Sequence, residues 1–353
     1  LAGLQSSLQV RLQPFLFTEV SRVAIFFRGN NTRIDCSLFI FRTGMIERTT
    51  LEKQLNSYVA RTIASGVKPL ETVLEAVYDC YYGEIKGYRA SLTVNSVVSG
   101  TLYPEEYMRS AADGKLLNDI SLKAIKKACK IKKIFDRAQE KDGLRSGELY
   151  VRCSSSLLED SELYTRLKDV LSALGNSGKG LYLEFYPEAF ELDTETLKNA
   201  FRDIRAAGLK VAVDGYGGKD FPIEKVISVC PDVVFTSTEL NALVTDRERY
   251  SAVAPLLNLV KSLGGKAIAE KVDYDEELRE FRARDCAGFV PSEKYSGSTG
   301  STFKRITESE FIETYAAETT EEIDDLSNAA ESESDGAETT ETNEINEEGG
   351  GNE

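Results

Sequence analysis

The sequence contains no histidine and no tryptophan among its 353 residues. The absence of histidine excludes Ser/His and Cys/His nucleophilic dyads, His-ligated zinc and iron sites held by imidazole. Any chemistry must therefore use carboxylates, lysines, thiols or hydroxyls.

The cysteines are few, and they are not arranged as a disulfide frame or a zinc ribbon. The six residues are widely spread and form no CxxC pair: Cys36, Cys80, Cys129, Cys153, Cys230 and Cys286. This spacing is typical of small apolar core residues in a reducing compartment. No apolar run approaches the ~20 residues that a membrane helix needs. We therefore expect a cytoplasmic protein that does not contact a membrane.

Basic residues are missing from the C-terminal segment, which carries the negative charge of the chain. The net charge is −15, and residues 306–353 contain 17 acidic and no basic side chains. Residues 1–305 are therefore close to neutral. A segment so poor in large apolar residues cannot offset an ordering cost of about 1–2 kcal/mol per residue. The sequence predicts a disordered acidic tail over residues 296–353.

The N-terminal residues differ from the rest of the chain. Residues 1–44 contain five arginines and no lysine, are rich in Leu and Phe, and begin without Met. Two interpretations are open: an amphipathic extension, or a stretch that does not belong to the native protein. Residues 45–68 are predicted to be a helical lead-in to a domain over residues 69–295.

Within residues 69–295, short apolar strands alternate with amphipathic helices. Two predicted strands, Leu74 to Tyr81 and Ile85 to Val94, come first, and a strand-helix alternation then runs from Glu148 to Pro291. This alternation predicts a (β/α) barrel or a doubly wound sheet. In both folds the carboxyl ends of the strands carry the chemistry.

Seven segments in order carry a family resemblance. They are Gly83 to Leu92, Gly100 to Tyr107, Val151 to Ser154, Leu183 to Glu188, Val213 to Gly217, Pro231 to Ser237 and Ile268 to Asp273. Together they resemble the EAL family, barrel phosphodiesterases that linearise the bacterial second messenger cyclic di-GMP. The resemblance implies an α/β fold, an EAL-type (β/α) TIM-like barrel. It also implies Mg²⁺ or Mn²⁺ held by carboxylates and an Asn amide, with a metal-bound water as nucleophile.

Most positions that match the family's site hold a different residue. The resemblance places Arg89 at the signature Glu, Arg152 at the Asn ligand and Phe235 at the lysine. The full set of substituted positions is Arg89, Arg152, Gly215, Phe235, Ser237 and Ala287. The resemblance leaves four vestigial metal-site positions, of which the last is a shortened substitute: Glu188, Asp214, Glu270 and Asp273. We expect no metal cofactor and no catalytic residue.

The two arginines suggest how the remaining carboxylates are balanced. Carboxylates that converge without a metal would repel one another, and an unpaired buried charge costs several kcal/mol. We therefore expect Arg89 and Arg152 to act as internal counter-ions to Glu188, Asp214 and Glu270. The simpler interpretation is that these carboxylates are ordinary polar residues at strand ends.

The resemblance, together with the substituted site residues, predicts a degenerate, catalytically inactive EAL-domain protein. Such a protein would act as a regulatory or protein-binding module in bacterial signalling. The alternative is a divergent metal-dependent cyclic di-GMP phosphodiesterase, which would need Mg²⁺ or Mn²⁺. A gene product without selected activity is a third interpretation. We expect a protein partner, and we do not expect cyclic di-GMP binding, because Thr93 stands where the family has a ligand-contacting arginine.

One predicted helix, Leu116 to Lys141, is strongly basic. Its cations are Lys123, Lys126, Lys127, Lys130, Lys132, Lys133, Arg137 and Lys141. Three interpretations are open: a solvated helix face, a surface for an acidic partner or nucleic acid, and a contact with the acidic tail. The solvated face is the commonest case, and we expect no nucleic-acid partner.

Overall fold

A computed structural model of the chain describes residues 70–96, 100–107, 114–141, 147–219, 221–246, 248–295, 297 and 300–316. The strands in this part of the chain are β1 (Leu70–Asp79), β2 (Ile85–Ser96), β3 (Gly100–Leu102), β4 (Glu148–Cys153), β5 (Leu181–Phe185), β6 (Lys210–Tyr216), β7 (Val233–Thr236), β8 (Lys266–Val272), β9 (Gly288–Pro291) and β10 (Arg305–Thr307).

Eight of these strands close into a barrel. β2 and β4 to β9 follow one another as parallel neighbours, and β1 pairs antiparallel with both β2 and β9. The closure is marked by the pairing of Tyr78 in β1 with Phe289 in β9. β3 and β10 lie outside the ring, on β2 and β1. The predicted barrel is confirmed, and the doubly wound sheet is excluded.

Helices connect the parallel strands. They are α1 (Pro104–Tyr107), α2 (Gly114–Lys141), α3 (Leu163–Ala173), α4 (Thr194–Ala207), α5 (Ile223–Val229), α6 (Thr238–Val244), α7 (Tyr250–Ser262), α8 (Asp275–Ala283) and α9 (Glu308–Ala316), with 3-10 turns at Ser155–Glu159 and Pro187–Glu191. Two helices, α6 and α7, follow β7, and the first of them ends at Val244 with Thr245 as its C-cap. None of the described helices is long and apolar enough to cross a bilayer.

The sequence also explains where individual helices begin and end. α4 starts after Asp193, whose carboxylate accepts hydrogen bonds from the amides of Glu195 and Thr196, both at 3.0 Å. It ends at Gly208, which adopts a φ of 101°. An Asp that caps the first turn and a left-handed glycine that closes the last are favoured helix-end residues.

Side chains of the strands alternate between the barrel interior and the surrounding helices. The interior apolar layer is formed by Val77, Tyr150, Tyr182, Ala212, Val233, Phe235, Ile268 and Val290. In β2, Tyr88 packs outward against Phe135 of α2 and Phe311 of α9. The next residue, Arg89, therefore points into the barrel, above the apolar layer.

The C-terminal segment contains more structure than its composition predicts. The sequence predicted disorder from residue 296, yet β10 pairs with β1 and α9 packs on α2. Phe311 is fully buried there. Its ring lies 5.3 Å from that of Tyr88. Residues 317–353 lie outside the described part of the chain, as do the predicted extension 1–44 and lead-in 45–68.

The cysteines behave as their spacing predicts. Of the five described, Cys80, Cys129, Cys153 and Cys286 are buried, Cys230 is partly exposed, and all five are free thiols. Burial raises the pKa of Cys80 and that of Cys129 to about 12. Such thiols are unreactive core residues.

Candidate functional site

An ion cluster centred on Arg89 lies at the carboxyl ends of the barrel strands. The Arg89 Nε atom donates to both carboxylate oxygens of Glu184 at 2.8 Å. The two terminal nitrogens reach Asp214 Oδ2 at 3.0 Å and Glu270 Oε1 at 2.9 Å. Strands β2, β5, β6 and β8 thus each contribute one member. Arg89 is fully buried, and one guanidinium serves three carboxylates.

An aromatic ring supports the Arg89 guanidinium from the barrel interior. The guanidinium carbon lies 4.2 Å from the centroid of the Phe235 ring. Phe235 packs in turn against Tyr150, with ring centroids 5.1 Å apart. An arginine stacked on an aromatic face gains a cation–π contact, which is worth about 2 kcal/mol when desolvated. The residue at the family's lysine position therefore holds Arg89 in place.

Arg152 forms the outer layer of the same cluster. Its Nε lies 3.4 Å from Glu184 Oε1, and one terminal nitrogen lies 3.9 Å from Glu270 Oε1. Its guanidinium carbon is 5.7 Å from the ring centroid of Tyr186. The longer distances make its ion pairs weaker than those of Arg89.

The pKa values of the Asp214 and Glu270 carboxyl groups are shifted in opposite directions. Burial raises the pKa of Asp214 well above its usual range, and the neighbouring Glu270 adds to the increase, although Arg89 opposes it. Burial also acts to raise the pKa of Glu270, but Arg89 and a hydrogen bond from Asp214 outweigh it and lower the value to about 2. Of these two carboxyl groups, Asp214 is therefore the one that keeps the shared proton to higher pH.

When Asp214 holds the shared proton, the charges of the cluster balance. Two guanidinium groups, Arg89 and Arg152, then face two carboxylates, Glu184 and Glu270. Burial disfavours the charged form of Arg89, but the three carboxyl groups around it raise its pKa well above the usual value. A buried charge is tolerated only when it is paired and hydrogen-bonded in this way.

The structure corrects one member of the expected cluster. We expected Arg89 and Arg152 to pair with Glu188, whereas the ion pairs of Arg89 go to Glu184, Asp214 and Glu270. Glu188 lies beyond β5, in the 3-10 turn Pro187–Glu191. Glu184 lies in the same motif, Leu183 to Glu188, and the sequence did not identify it as a site residue. Its signal is its place between Leu183 and Phe185, because a charged residue inside a fully buried strand must point at a partner.

Asp273 lies outside the cluster and has a structural role. Its carboxylate accepts a hydrogen bond from the Ser292 hydroxyl, and its amide donates to Glu277 Oε2 at 2.7 Å. These bonds join the segment after β8 to the segment after β9 and to the first turn of α8. The predicted vestigial metal-site residue is therefore used to fix the loops around the barrel mouth.

Ser237 is a helix cap, and its neighbours hold Glu270. The Ser237 hydroxyl accepts a hydrogen bond from the Leu240 amide at the start of α6. The Thr236 hydroxyl accepts from the Glu270 amide at 3.1 Å, and the Asn241 side-chain amide donates to the Glu270 carbonyl. The backbone of Glu270 is thus positioned by β7 and α6.

Ala287 lies at the opposite end of the barrel. Its amide donates to the Ala267 carbonyl at 2.8 Å, and its own carbonyl accepts from Lys86 Nζ at 3.1 Å. Lys86 also pairs with Glu148 at the start of β4, at 3.6 Å. The structure therefore does not bring Ala287 into the Arg89 cluster.

Gly215 occupies a position that disfavours a side chain. Its φ is 72°, and a Cβ atom would lie 2.6 Å from Pro187 Cγ. We expect Gly215→Ala to lower the free energy of unfolding by about 2–4 kcal/mol, from left-handed strain and overpacking together. An aspartate here would meet the same obstacle.

Gly264 provides the matched control for this prediction. Its φ is 82°, and a Cβ atom added at this position would have no other atom within 4 Å. Gly264→Ala therefore adds backbone strain without a clash. We expect a loss of only about 1–2 kcal/mol. Chemical denaturation of both variants measures the difference, and equal losses would rule out the Pro187 contact as a constraint.

Two adjacent cavities open at the mouth beside the cluster. Their volumes are about 380 and 400 Å³, and Arg152, Glu270 and Lys271 line both. Arg305 of β10 contributes to the first, where it also pairs with Glu75 at 3.0 Å. The mouth therefore contains charges of both signs.

The fold and the cluster define a class: a TIM-like barrel with one antiparallel strand and acidic residues at the carboxyl ends of its parallel strands. The family model of the EAL domain matches residues 60–289. The chain therefore belongs to the EAL domain family, as its motifs predicted.

Individual relatives are distant. An uncharacterized signaling protein of Caulobacter vibrioides is 23% identical over 232 residues, which is 65% of this chain and 28% of the relative. The chain thus spans less than a third of that relative. The EAL enzyme Bd1971 in its cAMP-bound form has a TM-score of 0.60 at 14% identity, covering 74% of this chain and 72% of the other. The PaMucR phosphodiesterase in complex with c-di-GMP has a TM-score of 0.57 at 16% identity, covering 67% and 94%.

The residues present do not fit the divalent metal that the family implies. Arg89 already contacts Glu184, Asp214 and Glu270, the carboxyl groups nearest to one another at the strand ends. A unit charge 4 Å from another costs about 4 kcal/mol at an effective dielectric of 20, and a divalent ion beside Arg89 would cost about twice that. Within the described residues, no group of three or more acidic or thiol side chains is arranged to hold a metal ion.

Proposed function

We propose that this EAL domain is catalytically inactive and acts as a regulatory, protein-binding module in bacterial signalling. The observation that carries the proposal is the fully buried Arg89, bonded to three carboxyl groups. A permanent side-chain cation cannot deliver a nucleophilic water as a bound metal does. A buried guanidinium that is ion-paired with three carboxyl groups supports a structural use of the site.

The intact barrel supports a binding role rather than a gene product without selected activity. Its interior layer is closed and apolar, and Phe235 and Tyr150 pack below Arg89. The curated relative is a signaling protein in which the matched region is 28% of the length. A stable domain without chemistry within such a protein is suited to transmit a signal through a partner.

A phosphodiesterase assay tests the proposal. Purified protein is incubated with cyclic di-GMP and either Mn²⁺ or Mg²⁺, and linear dinucleotide is measured by chromatography. We expect no product above background. A Glu270→Gln variant purified in parallel is the control for a contaminating enzyme. Product that forms with the native chain, disappears with chelator and is absent from the variant would establish the alternative, a divergent metal-dependent phosphodiesterase.

Ligand binding without hydrolysis is tested separately. We expect titration calorimetry with cyclic di-GMP to give no heat of binding, because Thr93 is fully buried and bonds the Glu71 carbonyl at 3.0 Å. It therefore cannot replace a ligand-contacting arginine. Micromolar affinity would make the module a nucleotide receptor and not solely a protein-binding one.

A further inference from the structure

α2 carries a single-sign charged face, which we call the basic stripe and define as Lys123, Lys126, Lys130, Lys133, Arg137 and Lys141. The spacings of three and four residues place these side chains on one face of the helix. At 1.5 Å per residue the stripe is about 27 Å long. Two other cations of α2 are excluded: Lys132 is buried against Asp136, and Lys127 pairs with Glu308 at 2.7 Å.

The centre of the basic stripe has cations that the described residues do not neutralise. Lys126, Lys130 and Lys133 have no carboxylate partner in the part of the chain that the structure describes. Of the acidic residues on α2 itself, Asp136 is committed to Lys132, and Asp119 and Glu140 lie near the two ends. The stripe is therefore a positive surface that can accept an acidic partner.

The C-terminal segment leaves the fold beside this surface. Glu308 contacts Lys127, and Tyr315 packs against Phe135 with ring centroids 5.4 Å apart. α9 therefore runs along α2 in the same direction and ends at Ala316, next to the second half of α2. The chain beyond Ala316 therefore starts near the half of α2 that carries Lys133, Arg137 and Lys141.

The negative charge of residues 317–353 is complementary to the positive charge of the basic stripe. Residues 317–353 contain 14 acidic and no basic side chains. Five of them come within ten residues of α9: Glu318, Glu321, Glu322, Asp324 and Asp325. Nine residues of extended chain span about 30 Å, which matches the length of the stripe. Tethering through α9 also gives these carboxylates a high effective concentration at α2, of order mM.

We infer that the acidic segment 317–353 docks in the same chain on the basic stripe of α2. The barrel mouth is the weaker candidate, because its cations alternate with Glu75, Asp214, Glu239 and Glu270. Each exposed ion pair contributes little by itself. The contact is therefore a multivalent, salt-sensitive one that an acidic partner could displace. The inference does not depend on the proposed function.

Zero-length carbodiimide cross-linking of the full chain, read by mass spectrometry, tests the inference. We expect cross-links from Lys126, Lys130 or Lys133 to the acidic residues 318–325. The Debye length falls from about 10 Å at 0.1 M salt to about 3 Å at 1 M, so the links should weaken about tenfold over this range. A mixture of light and isotope-labelled chains should give links within one chain.

A matched pair of variants isolates the stripe. Lys130→Glu with Lys133→Glu should abolish the links, whereas Lys198→Glu with Lys294→Glu makes the same charge change at two exposed lysines elsewhere and should preserve them. Circular dichroism checks that both variants fold, and the salt series on the native chain needs no variant. Links that are absent, equally frequent at Lys198 and Lys294, or formed between light and heavy chains would overturn the inference.

Discussion

Replacing Arg89 with methionine is expected to lower the free energy of unfolding by about 3–5 kcal/mol at pH 7. The variant keeps most of the side-chain volume but removes the guanidinium that contacts Glu184, Asp214 and Glu270. The carboxylates left behind are buried without their main counter-ion. Urea denaturation of the native and variant chains, followed by circular dichroism, measures the loss.

Arg152→Met is the matched control for this prediction. Arg152 approaches the same carboxylates only at 3.4 and 3.9 Å and lies closer to solvent, so we expect a loss of about 1–2 kcal/mol. In the Arg89 variant the buried carboxylates lack their main counter-ion, and protonation removes that cost, so we expect the loss to shrink as the pH falls. A loss below about 1 kcal/mol for Arg89→Met would show that the cluster is not held by this charge.

The second large expected effect is a difference in stability between substitutions of Glu270 and Asp214, the two carboxyl groups that share a proton. Glu270→Gln removes a charged partner of Arg89 and should cost about 3 kcal/mol at pH 7. Asp214→Asn replaces the group of the pair that is more readily protonated, so we expect a smaller change, below about 1 kcal/mol. The two isosteric substitutions are therefore unequal, although both residues contact Arg89.

The stability contributions of Glu270 and Asp214 are expected to change with pH in opposite directions. The pKa of Glu270 is about 2 in the folded chain against 4.5 for the ordinary group, so its contribution is complete above about pH 4.5 and is lost as the pH falls towards 2. The pKa of Asp214 is raised, so its contribution is present at acid pH and is lost as the pH rises through the folded value. Asp214→Asn should therefore gain relative to the native chain at alkaline pH. Equal costs for the two variants, or the reverse order, would contradict the assignment of the proton.

The barrel follows from patterns that the sequence carries directly. Strand-helix alternation from Glu148 to Pro291 predicted the parallel strands, and the predicted basic helix Leu116 to Lys141 corresponds to α2, Gly114–Lys141. These features succeed because hydrophobic periodicity is a local property of the chain. The order of motifs likewise indicated the family that the domain model matches.

The structure of the C-terminal segment could not be read from its composition. Phe311 and Tyr315 are isolated apolar residues among acids in the sequence. Their partners, Tyr88 and Phe135, lie far away in the chain and form one aromatic group with them. Burial of these rings stabilises α9, and only the fold brings the four rings together.

The sequence by itself indicated the barrel, through strand-helix alternation and the order of its motifs, and it predicted that Arg89 and Arg152 stand at two of the family's site positions. The tertiary structure decided that Glu184 is a partner of Arg89, and that the pKa values of Asp214 and Glu270 are shifted in opposite directions. The physical reason is that hydrophobic patterns act between neighbours in the chain. Electrostatic energies depend instead on distances and burial, which residue spacing along the chain does not fix.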